Sequence, residues 1–183
     1  MNLLPFRVLH VGGRGDIATI APLYALGPNL ELTVVEADPS AEPIQVPDIL
    51  SGRVRVLACC LGNHAAPQEF HVTHNPQASS LYLMNPRFAH WTYNSVPWEQ
   101  EAVLDHDIDV VTTTIDILRA EMKLQELHFL SLDAQGAEYE ILWGAENTLR
   151  NDPIVGVVAE AGLANIYKGQ GLFSQQLDTL LRE

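Results

Sequence analysis

Basic side chains are scarce in this sequence: only ten of its 183 residues are Lys or Arg, against 23 Asp and Glu. Two of the ten are lysines, Lys123 and Lys168, and the formal net charge is −13. Proteins bind nucleic acid through clustered Lys and Arg side chains that neutralise phosphates. A surface this acidic repels a phosphate backbone, so we expect no nucleic-acid partner.

The sequence also lacks the features of a membrane-spanning segment or a signal peptide. The apolar run from Ile17 to Leu30 covers 14 residues and is interrupted by Pro22 and Pro28, whereas a spanning helix needs about 20 apolar residues. The first residues, MNLLPFR, contain too short an apolar stretch for a signal peptide and no small-residue cleavage site. We expect a cytoplasmic protein that does not bind membranes.

Cysteine occurs only twice, at Cys59 and Cys60, which are adjacent in a predicted strand. Successive side chains of a strand face opposite sides, which makes a disulfide between them geometrically poor. The two residues are therefore expected to be small apolar core residues, and they imply no oxidising compartment.

What the sequence does contain is enough apolar material for one packed domain, residues 1–183. Hydrophobic residues make up 47% and Asp, Glu, Lys and Arg only 18%, which excludes intrinsic disorder. Five apolar segments separated by crossovers predict an α/β fold with a mostly parallel, doubly wound sheet. These predicted strands are Phe6–Val11, Leu30–Val35, Val54–Leu61, Leu127–Leu132 and Ile154–Ala159.

Helices are predicted between these strands. Thr19 is the expected N-cap of the first helix, which Gly27-Pro28 ends. A second helix is expected from Ala137 to Leu149, where apolar residues recur at helical spacing, and a last amphipathic helix runs to the terminus.

The middle of the chain, about residues 64–114, is predicted to be an antiparallel insertion. Its expected strands are Gln68–His74, Ser79–Met84 and Ile108–Ile115. Between them lie three aromatic residues and the acidic stretch Glu99–Asp109, which we interpret as a cap or flap. The aromatic residues either line an acceptor pocket or form the small core of the insertion; they are Trp91, Tyr93 and Trp98.

Ligands of such sheets bind outside the carboxyl ends of the strands. Five features are expected there: the Gly12–Gly15 loop, Glu36, the Gly62-Asn63 turn, Asp133 and Glu160. The glycine loop fails the G-x-G-x-x-G pattern of pyrophosphate binding, which disfavours a nicotinamide cofactor. An acid 24 positions after Gly12, at a strand end, can accept both hydroxyls of a ribose, as in S-adenosylmethionine. A bare glycine turn without any ligand fits the same pattern.

The second half of the chain carries a longer motif, Asp133-Ala134-Gln135-Gly136-Ala137-Glu138, between a hydrophobic strand and an apolar helix. This motif resembles the D-x-Q-G-A-E signature of FkbM-type methyltransferases. Five further matches follow the family's order; they are His10–Gly15 for D-V-G-A-R-G, Val35–Pro39 for E-P-D-P, Ser79-Ser80-Leu81, Thr114-Ile115-Asp116 for T-L-D, and Tyr167–Phe173 for Y-x-G-Q-x-L-F.

The resemblance implies a Rossmann-like class I methyltransferase fold that uses S-adenosylmethionine, usually to methylate a hydroxyl on a glycan, polyketide or other small metabolite. Three positions depart from the family pattern: His10 replaces an acid, Gly13 an alanine and Ser131 a lysine. The family also continues into two strands beyond the point where this sequence stops. A rival hypothesis is a degenerate nucleoside-binding or interaction domain that kept the fold and lost turnover.

The candidate site residues follow from the strand ends and the resemblance. Asp133 is the expected base or acceptor-orienting group, supported by Glu160, although they also fit as a turn residue and a solvated strand end. The expected cofactor contacts are Gly12, Gly13, Gly15, Glu36, Asp38 and Asn63. The acceptor-side candidates are Ser80, Gln135 and Tyr167. The histidines lack metal-ligand spacing, so no metal is expected, and the sequence is silent on oligomeric state.

Overall fold

The computed structural model describes residues 4–12, 17–41, 47–50, 52–93 and 95–182. Ten strands lie in this part of the chain: β1 Phe6–Val11, β2 Leu30–Glu36, β3 Val54–Ala58, β4 Cys60–Leu61, β5 Pro67–Thr73, β6 Thr92–Tyr93, β7 Val96–Pro97, β8 Leu104–Thr113, β9 Phe129–Leu132 and β10 Gly156–Ala159. The α-helices described are α1 Trp98–Glu101, α2 Ile115–Ala120, α3 Glu138–Trp143, α4 Glu146–Asn151 and α5 Phe173–Arg182. Short 3-10 helices cover Ala18–Asn29, Asp48–Leu50, Pro76–Ala78 and Pro86–Phe88.

The centre of the fold is a five-stranded parallel sheet in the order β10-β9-β1-β2-β3. Its strand order reverses between β1 and β9, which is the switch point where open α/β sheets bind ligands. Alternate residues of the strands pack into two apolar clusters on opposite faces: Val8 and Leu32 belong to one, Leu9 and Leu130 to the other. The prediction of a Rossmann-like parallel sheet is confirmed.

The first crossover differs from the prediction. Residues Ala18–Asn29 form a 3-10 segment rather than an α-helix, since Pro22 and Pro28 lie inside it and Gly27 has the non-helical φ of 52°. Ile17, and not Thr19, precedes its first turn, and no side chain caps it. The Thr19 hydroxyl instead lies 3.2 Å from the hydroxyl of Ser131 in β9.

The predicted helix from Ala137 to Leu149 is two short helices, α3 and α4, separated at Gly144-Ala145. The close approach of Gly144 to another loop explains the break, because a Cβ on Gly144 would lie 2.3 Å from the Gly62 carbonyl oxygen. The Asp116 carboxylate then starts α4 afresh by accepting the N–H groups of Asn147 and Thr148 at 2.9 and 2.8 Å. The segment Thr114-Ile115-Asp116, which matches T-L-D in the family pattern, therefore has a structural role.

The insertion contains the predicted antiparallel pair, formed by β5 and β8 with Pro67 opposite Val111. β4 adds to β8 in parallel and completes a second, three-stranded sheet. Ser79–Met84 does not form a strand; this segment makes isolated bridges, from Ser80 to His71 and from Met84 to Tyr167. The acidic stretch interpreted as a flap contains the end of α1 and much of β8.

The predicted strand Val54–Leu61 is divided at Cys59. Its first part, β3, belongs to the parallel sheet, and its second part, β4, belongs to the insertion sheet. The Cys59 N–H donates to the Glu36 carbonyl oxygen at 3.0 Å, and both cysteines are free thiols. Among the residues described, no helix is long and apolar enough to cross a bilayer.

Candidate functional site

A cavity of about 660 Å³ lies at the carboxyl ends of the parallel strands. Its floor comes from the ends of β1, β2, β9 and β10, and its opposite wall comes from the insertion, between Asn75 and Glu101. A volume of this size is within the range of small-molecule sites, about 300–1,000 Å³. The polar residues of its floor include Gly12, Thr19, Glu36, Asp133, Gln135 and Glu160.

Gly12 ends β1 where two strands approach each other closely. Its N–H donates to the Val35 oxygen at 3.1 Å, and the Asp133 N–H donates to the Val11 oxygen at 2.9 Å. Gly12 has a φ of 104°, and a Cβ there would lie 2.0 Å from the Asp133 carbonyl oxygen. Only glycine fits this position, so the first glycine of the loop is required by packing as well as by conformation.

His10 lies beneath this turn and is 1% exposed. Its Nε2 is 3.0 Å from the Gly12 carbonyl oxygen, which can only accept, so Nε2 donates. Its Nδ1 is 3.0 Å from the Ser131 hydroxyl, which in turn contacts Thr19. A hydrogen-bonded chain from Thr19 through Ser131 to His10 lies where the family pattern has an acidic residue and a lysine.

Glu36 is the last residue of β2 and lines the cavity. One of its carboxylate oxygens accepts the Asp38 N–H at 2.8 Å, which orients the group at the cavity edge. Beside it, Ala37 packs against Cys60 and Phe70 and forms an apolar wall. Burial raises the pKa of the Cys60 thiol to about 12, so this wall presents a neutral thiol.

Asp133 and Glu160 follow neighbouring parallel strands. Leu132 pairs with Ala159, and the Glu160 N–H continues the ladder to the Leu132 oxygen at 3.2 Å. Both side chains line the cavity. Glu160 reaches solvent at the rim. Partial burial of its carboxylate by the surrounding walls raises its pKa above the ordinary value, and the negative charge of Asp133 raises it further.

Gln135, Ser80 and Tyr167 form a hydrogen-bonded chain that ends at Asp133. The Gln135 amide donates to the Asp133 carboxylate at 2.8 Å, and its own oxygen lies 3.0 Å from the Tyr167 hydroxyl. The Ser80 hydroxyl donates to the Gln135 carbonyl oxygen at 2.6 Å and supports the left-handed φ of 51° there. Ser80 and Tyr167 are 1% exposed and lie behind the cavity wall rather than in it.

Glu138, the last residue of the D-x-Q-G-A-E motif, is fully buried at the start of α3. Its carboxylate accepts the Ala134 N–H at 2.7 Å and the Gly136 N–H at 3.0 Å, and so holds the loop that carries Asp133. Burial raises its pKa to about 8, with smaller contributions from the charges of Glu160 and Asp133. Glu138 is therefore a residue of the loop, and it does not line the cavity.

The structure brings only part of the predicted set together. The cavity lining includes Gly12, Glu36, Asp133, Gln135 and Glu160. Asp38 is buried and accepts the N–H and hydroxyl of Ser40, and Asn63 contacts His64; neither lines the cavity, and their cofactor roles stay predictions. Gly13 and Gly15 lie outside the described residues.

Trp91 and Trp98 of the insertion line the cavity, as one of the two sequence interpretations expected, but the other cavity residues of the insertion and the first crossover were missed. Thr19, Phe70, Asn75 and Glu101 line the cavity, and none follows a strand of the parallel sheet. The described residues contain no cluster of three or more His, Cys, Asp or Glu able to hold a metal ion, and the metal prediction stays untested.

Together, the switch-point cavity and the acid-ended parallel strands define a Rossmann-like α/β protein with a cavity at the ligand-binding edge of its sheet. The family model described as the methyltransferase FkbM domain matches residues 8–183. The chain therefore belongs to the FkbM methyltransferase family, as its motifs predicted, and this membership supports a methyltransferase activity. Searches of curated proteins and of solved structures gave no match.

Proposed function

We propose that this protein uses S-adenosylmethionine to methylate a hydroxyl oxygen of a small molecule or glycan. The observation that carries the proposal is the meeting of Gly12, Glu36, Asp133 and Glu160 around one cavity at the switch point of the sheet. Family membership over residues 8–183 supports methyl transfer in general. Beyond family membership, we propose that the donor is S-adenosylmethionine and that the acceptor atom is a hydroxyl oxygen.

The residues at the β2 end fit an adenosyl group. Glu36 offers a carboxylate oriented by the Asp38 N–H, suited to accept ribose hydroxyls, and Ala37, Cys60 and Phe70 offer an apolar wall for a flat base. The acidic floor suits a cation. When bound, S-adenosylmethionine supplies a methyl group on a sulfonium, which is already a good leaving group.

The chain's own part in the reaction is to place the acceptor and take its proton. Asp133 ends β9 in the cavity, and its orientation is fixed by the Gln135 amide. Glu160, on the neighbouring strand, has a raised pKa, which makes it a better proton acceptor than an ordinary glutamate near neutral pH. We assign Asp133 the role of orienting the acceptor hydroxyl and Glu160 that of supporting it as the proton acceptor.

Calorimetry with S-adenosylmethionine and its demethylated product tests the donor assignment. Saturable binding is expected, and Glu36→Ala should weaken it by about 1–3 kcal/mol through lost charge-assisted hydrogen bonds. Glu31→Ala is the matched control, because Glu31 is exposed on the same strand and bonds Arg7 instead. No heat and no thermal shift with either ligand would reject the assignment.

Methyl transfer itself is tested by mass spectrometry of extracts from cells with and without the gene. Loss of the gene should leave a metabolite lighter by one methylene, and purified protein with S-adenosylmethionine should convert it. Donor binding without any transfer, in both experiments, would favour the non-catalytic domain over the enzyme.

A further inference from the structure

The donor assignment uses only one side of the cavity. Glu36, Asp133 and Glu160 lie at the carboxyl ends of parallel strands, whereas Glu101 lines the cavity from the insertion. All four carboxylates face the same cavity, and its described lining contains no Lys, Arg or His. The carboxylate of Glu101 therefore has no basic side chain in the described lining to pair with.

The donor alone does not balance these charges. S-adenosylmethionine carries a sulfonium and an ammonium group but also a carboxylate, so its net charge is a single positive one. Four carboxylates line the cavity, and whether Glu160 is protonated or ionised, the cavity with its donor in place keeps a net negative charge. Because like charges repel more strongly in a partly desolvated site than in water, a second cation is favoured there and an anion is disfavoured.

The arrangement of the carboxylates favours an organic cation over a metal ion. A divalent metal ion needs several ligand atoms within about 2.0–2.6 Å. The part of the chain that the structure describes contains no cluster of three or more His, Cys, Asp or Glu able to provide them. The acids instead come from separate elements around a cavity of about 660 Å³. This spacing suits a charged group carried by a larger molecule.

Glu101 is held in a defined orientation by Asn75. The Asn75 amide donates to the Glu101 carboxylate, while the Asn75 oxygen accepts the Gln77 N–H at 3.2 Å. This second bond fixes which end of the amide faces Glu101. Glu101 is partly buried, and an ionised carboxylate keeps acceptor capacity after one hydrogen bond. A cation in the cavity can therefore form a charge-assisted contact with it.

An aromatic ring is presented by the same part of the insertion. Trp91 lines the cavity and is 56% exposed, and its ring packs edge-on against Phe88 with centroids 4.8 Å apart. Its carbonyl oxygen accepts the Trp98 N–H at 2.6 Å, at the start of α1, and Glu101 is the last residue of that helix. The face of an indole ring attracts ammonium groups through its quadrupole. Carboxylate and ring together suit an organic ammonium group.

We propose that Glu101 and Trp91 form a subsite for an ammonium group of the methyl acceptor, so that the acceptor is an organic cation that also carries a hydroxyl. The term acceptor rests on the proposed function, whereas cation binding by Glu101 and Trp91 stands independently of it. The ammonium group anchors the molecule and takes no part in methyl transfer. Asn75 is a positioning residue, because it acts through the Glu101 carboxylate.

Two probes isolate the charge. Choline and its uncharged isostere dimethylbutanol share their shape and their hydroxyl group, and a quaternary carbon in the second replaces the nitrogen of the first. Each is titrated into ¹⁵N-labelled full-length protein with an excess of the demethylated donor product, which is expected to fill the donor side. The indole N–H signals of the three tryptophans report binding and are assigned from Trp91→Phe, Trp98→Phe and Trp143→Phe. Trp143 is 52% exposed on α3, does not line the cavity and serves as the internal control.

Choline is expected to shift the Trp91 signal and to leave that of Trp143 in place. It should bind at least about tenfold more tightly than dimethylbutanol, although the alcohol is the more hydrophobic of the two. Trp91→Leu removes the aromatic face and should weaken choline binding about twofold to fivefold.

Glu101→Gln keeps the shape of the side chain and should weaken choline binding about tenfold, with little effect on dimethylbutanol. Glu99→Gln is the matched control, because it makes the same change of charge on the same helix. Glu99 does not line the cavity, and its carboxylate lies 3.6 Å from His90. Choline affinity should stay within about twofold in this variant, because the charge of an exposed carboxylate is screened by solvent and salt.

Three results would overturn the proposal: no shift of the Trp91 signal with choline, equal affinity for the two probes, or equal losses in Glu101→Gln and Glu99→Gln. Binding of the demethylated product, measured in the same samples, separates this failure from that of the proposed function. Product binding without choline binding removes the subsite alone. Choline binding that depends on Glu101, without product binding, keeps the subsite and removes the donor assignment.

Discussion

Gly12, directly after β1, and Asp133, directly after β9, lie side by side in the cavity floor, yet the backbone around them is held in different ways. The loop after β9, Asp133–Ala137, donates its N–H groups to the Glu138 carboxylate, accepts a hydrogen bond from the Ser80 hydroxyl, and is tied internally by the Gln135 amide. The end of β1 depends on the single glycine at position 12 and on the hydrogen-bonded chain of His10, Ser131 and Thr19 beneath it. The loop after β9 matches the family pattern, whereas His10, near the end of β1, departs from it.

This difference indicates that a sequence motif keeps the family pattern where its residues contact one another. Tyr167 packs on Gly136, where a Cβ would lie 3.1 Å from its ring, and a Cβ on Gly171 would lie 2.3 Å from Tyr139. The D-x-Q-G-A-E and Y-x-G-Q-x-L-F segments therefore constrain each other. At β1, the partners His10 and Ser131 depart together, and their side chains still bond at 3.0 Å.

Gly12→Ala should have the largest effect on stability of the substitutions considered for these two segments. The new Cβ would lie 2.0 Å from the Asp133 carbonyl oxygen in a left-handed backbone conformation. We expect a loss of roughly 3–5 kcal/mol in the free energy of unfolding, measured by urea denaturation, because both loops must move apart. In Gly52→Ala, where φ is 76° and nothing lies within 4 Å, only about 1–2 kcal/mol of backbone strain is expected. Equal losses in the two variants would contradict the close approach.

Glu138→Gln tests the loop after β9. The raised pKa of about 8 means that the folded protein holds a proton that the unfolded chain, with an ordinary value of 4.5, releases. This contribution to stability is complete below pH 4.5 and is lost as the pH rises through about 8. At low pH the free energy of unfolding of the variant should be lower by about 1–3 kcal/mol, because the glutamine amide nitrogen cannot accept the Gly136 N–H. Its free energy of unfolding should also fall less steeply towards pH 8 than that of the unmodified protein.

Urea denaturation over that pH range measures both effects. Glu146→Gln is the control, since Glu146 is exposed on α4 and bonds only Arg150. An unchanged pH slope in Glu138→Gln would show that Glu138 is ionised throughout.

Tyr167→Phe removes the hydroxyl that faces Gln135. We expect a loss of about 1 kcal/mol in stability, together with a slower methyl-transfer step at unchanged donor affinity, because the Gln135 amide is no longer held towards Asp133. Tyr24→Phe, which removes a hydroxyl bonded to the Ile17 oxygen at 3.0 Å, should cost similar stability without slowing transfer. A rise in KM alone would instead indicate that Tyr167 touches the acceptor.

Ser131→Ala should have the smallest effect on stability, and it tests the hydrogen-bonded chain at the end of β1. It removes the link between Thr19 and His10, at a cost of about 0.5–1.5 kcal/mol in the free energy of unfolding. Thr179→Ala, on the exposed face of α5, should cost less. If His10→Asn alone and combined with Ser131→Ala give additive losses, the two side chains do not act as a pair.

The sequence allowed the parallel sheet and its strand ends to be predicted because buried parallel strands are continuous apolar runs. Glu36, Asp133 and Glu160 could be placed from their position after such runs. The roles of Ser80 and Tyr167 could not, since they depend on contacts across 55 and 32 residues to Gln135. Within the insertion only the tryptophans could be suggested as cavity residues, because irregular segments leave no periodicity that predicts which other side chains turn inwards.

The division of one strand at Cys59 has a consequence for how such proteins diversify. A single residue separates β3 from β4, so the insertion begins where the parallel sheet is already complete on that side. Changes of length or sequence in the loops between β5 and β8 need not alter the register of the sheet or the position of Glu36. The insertion can therefore vary, in evolution or by design, while the side of the cavity formed by the parallel sheet is retained.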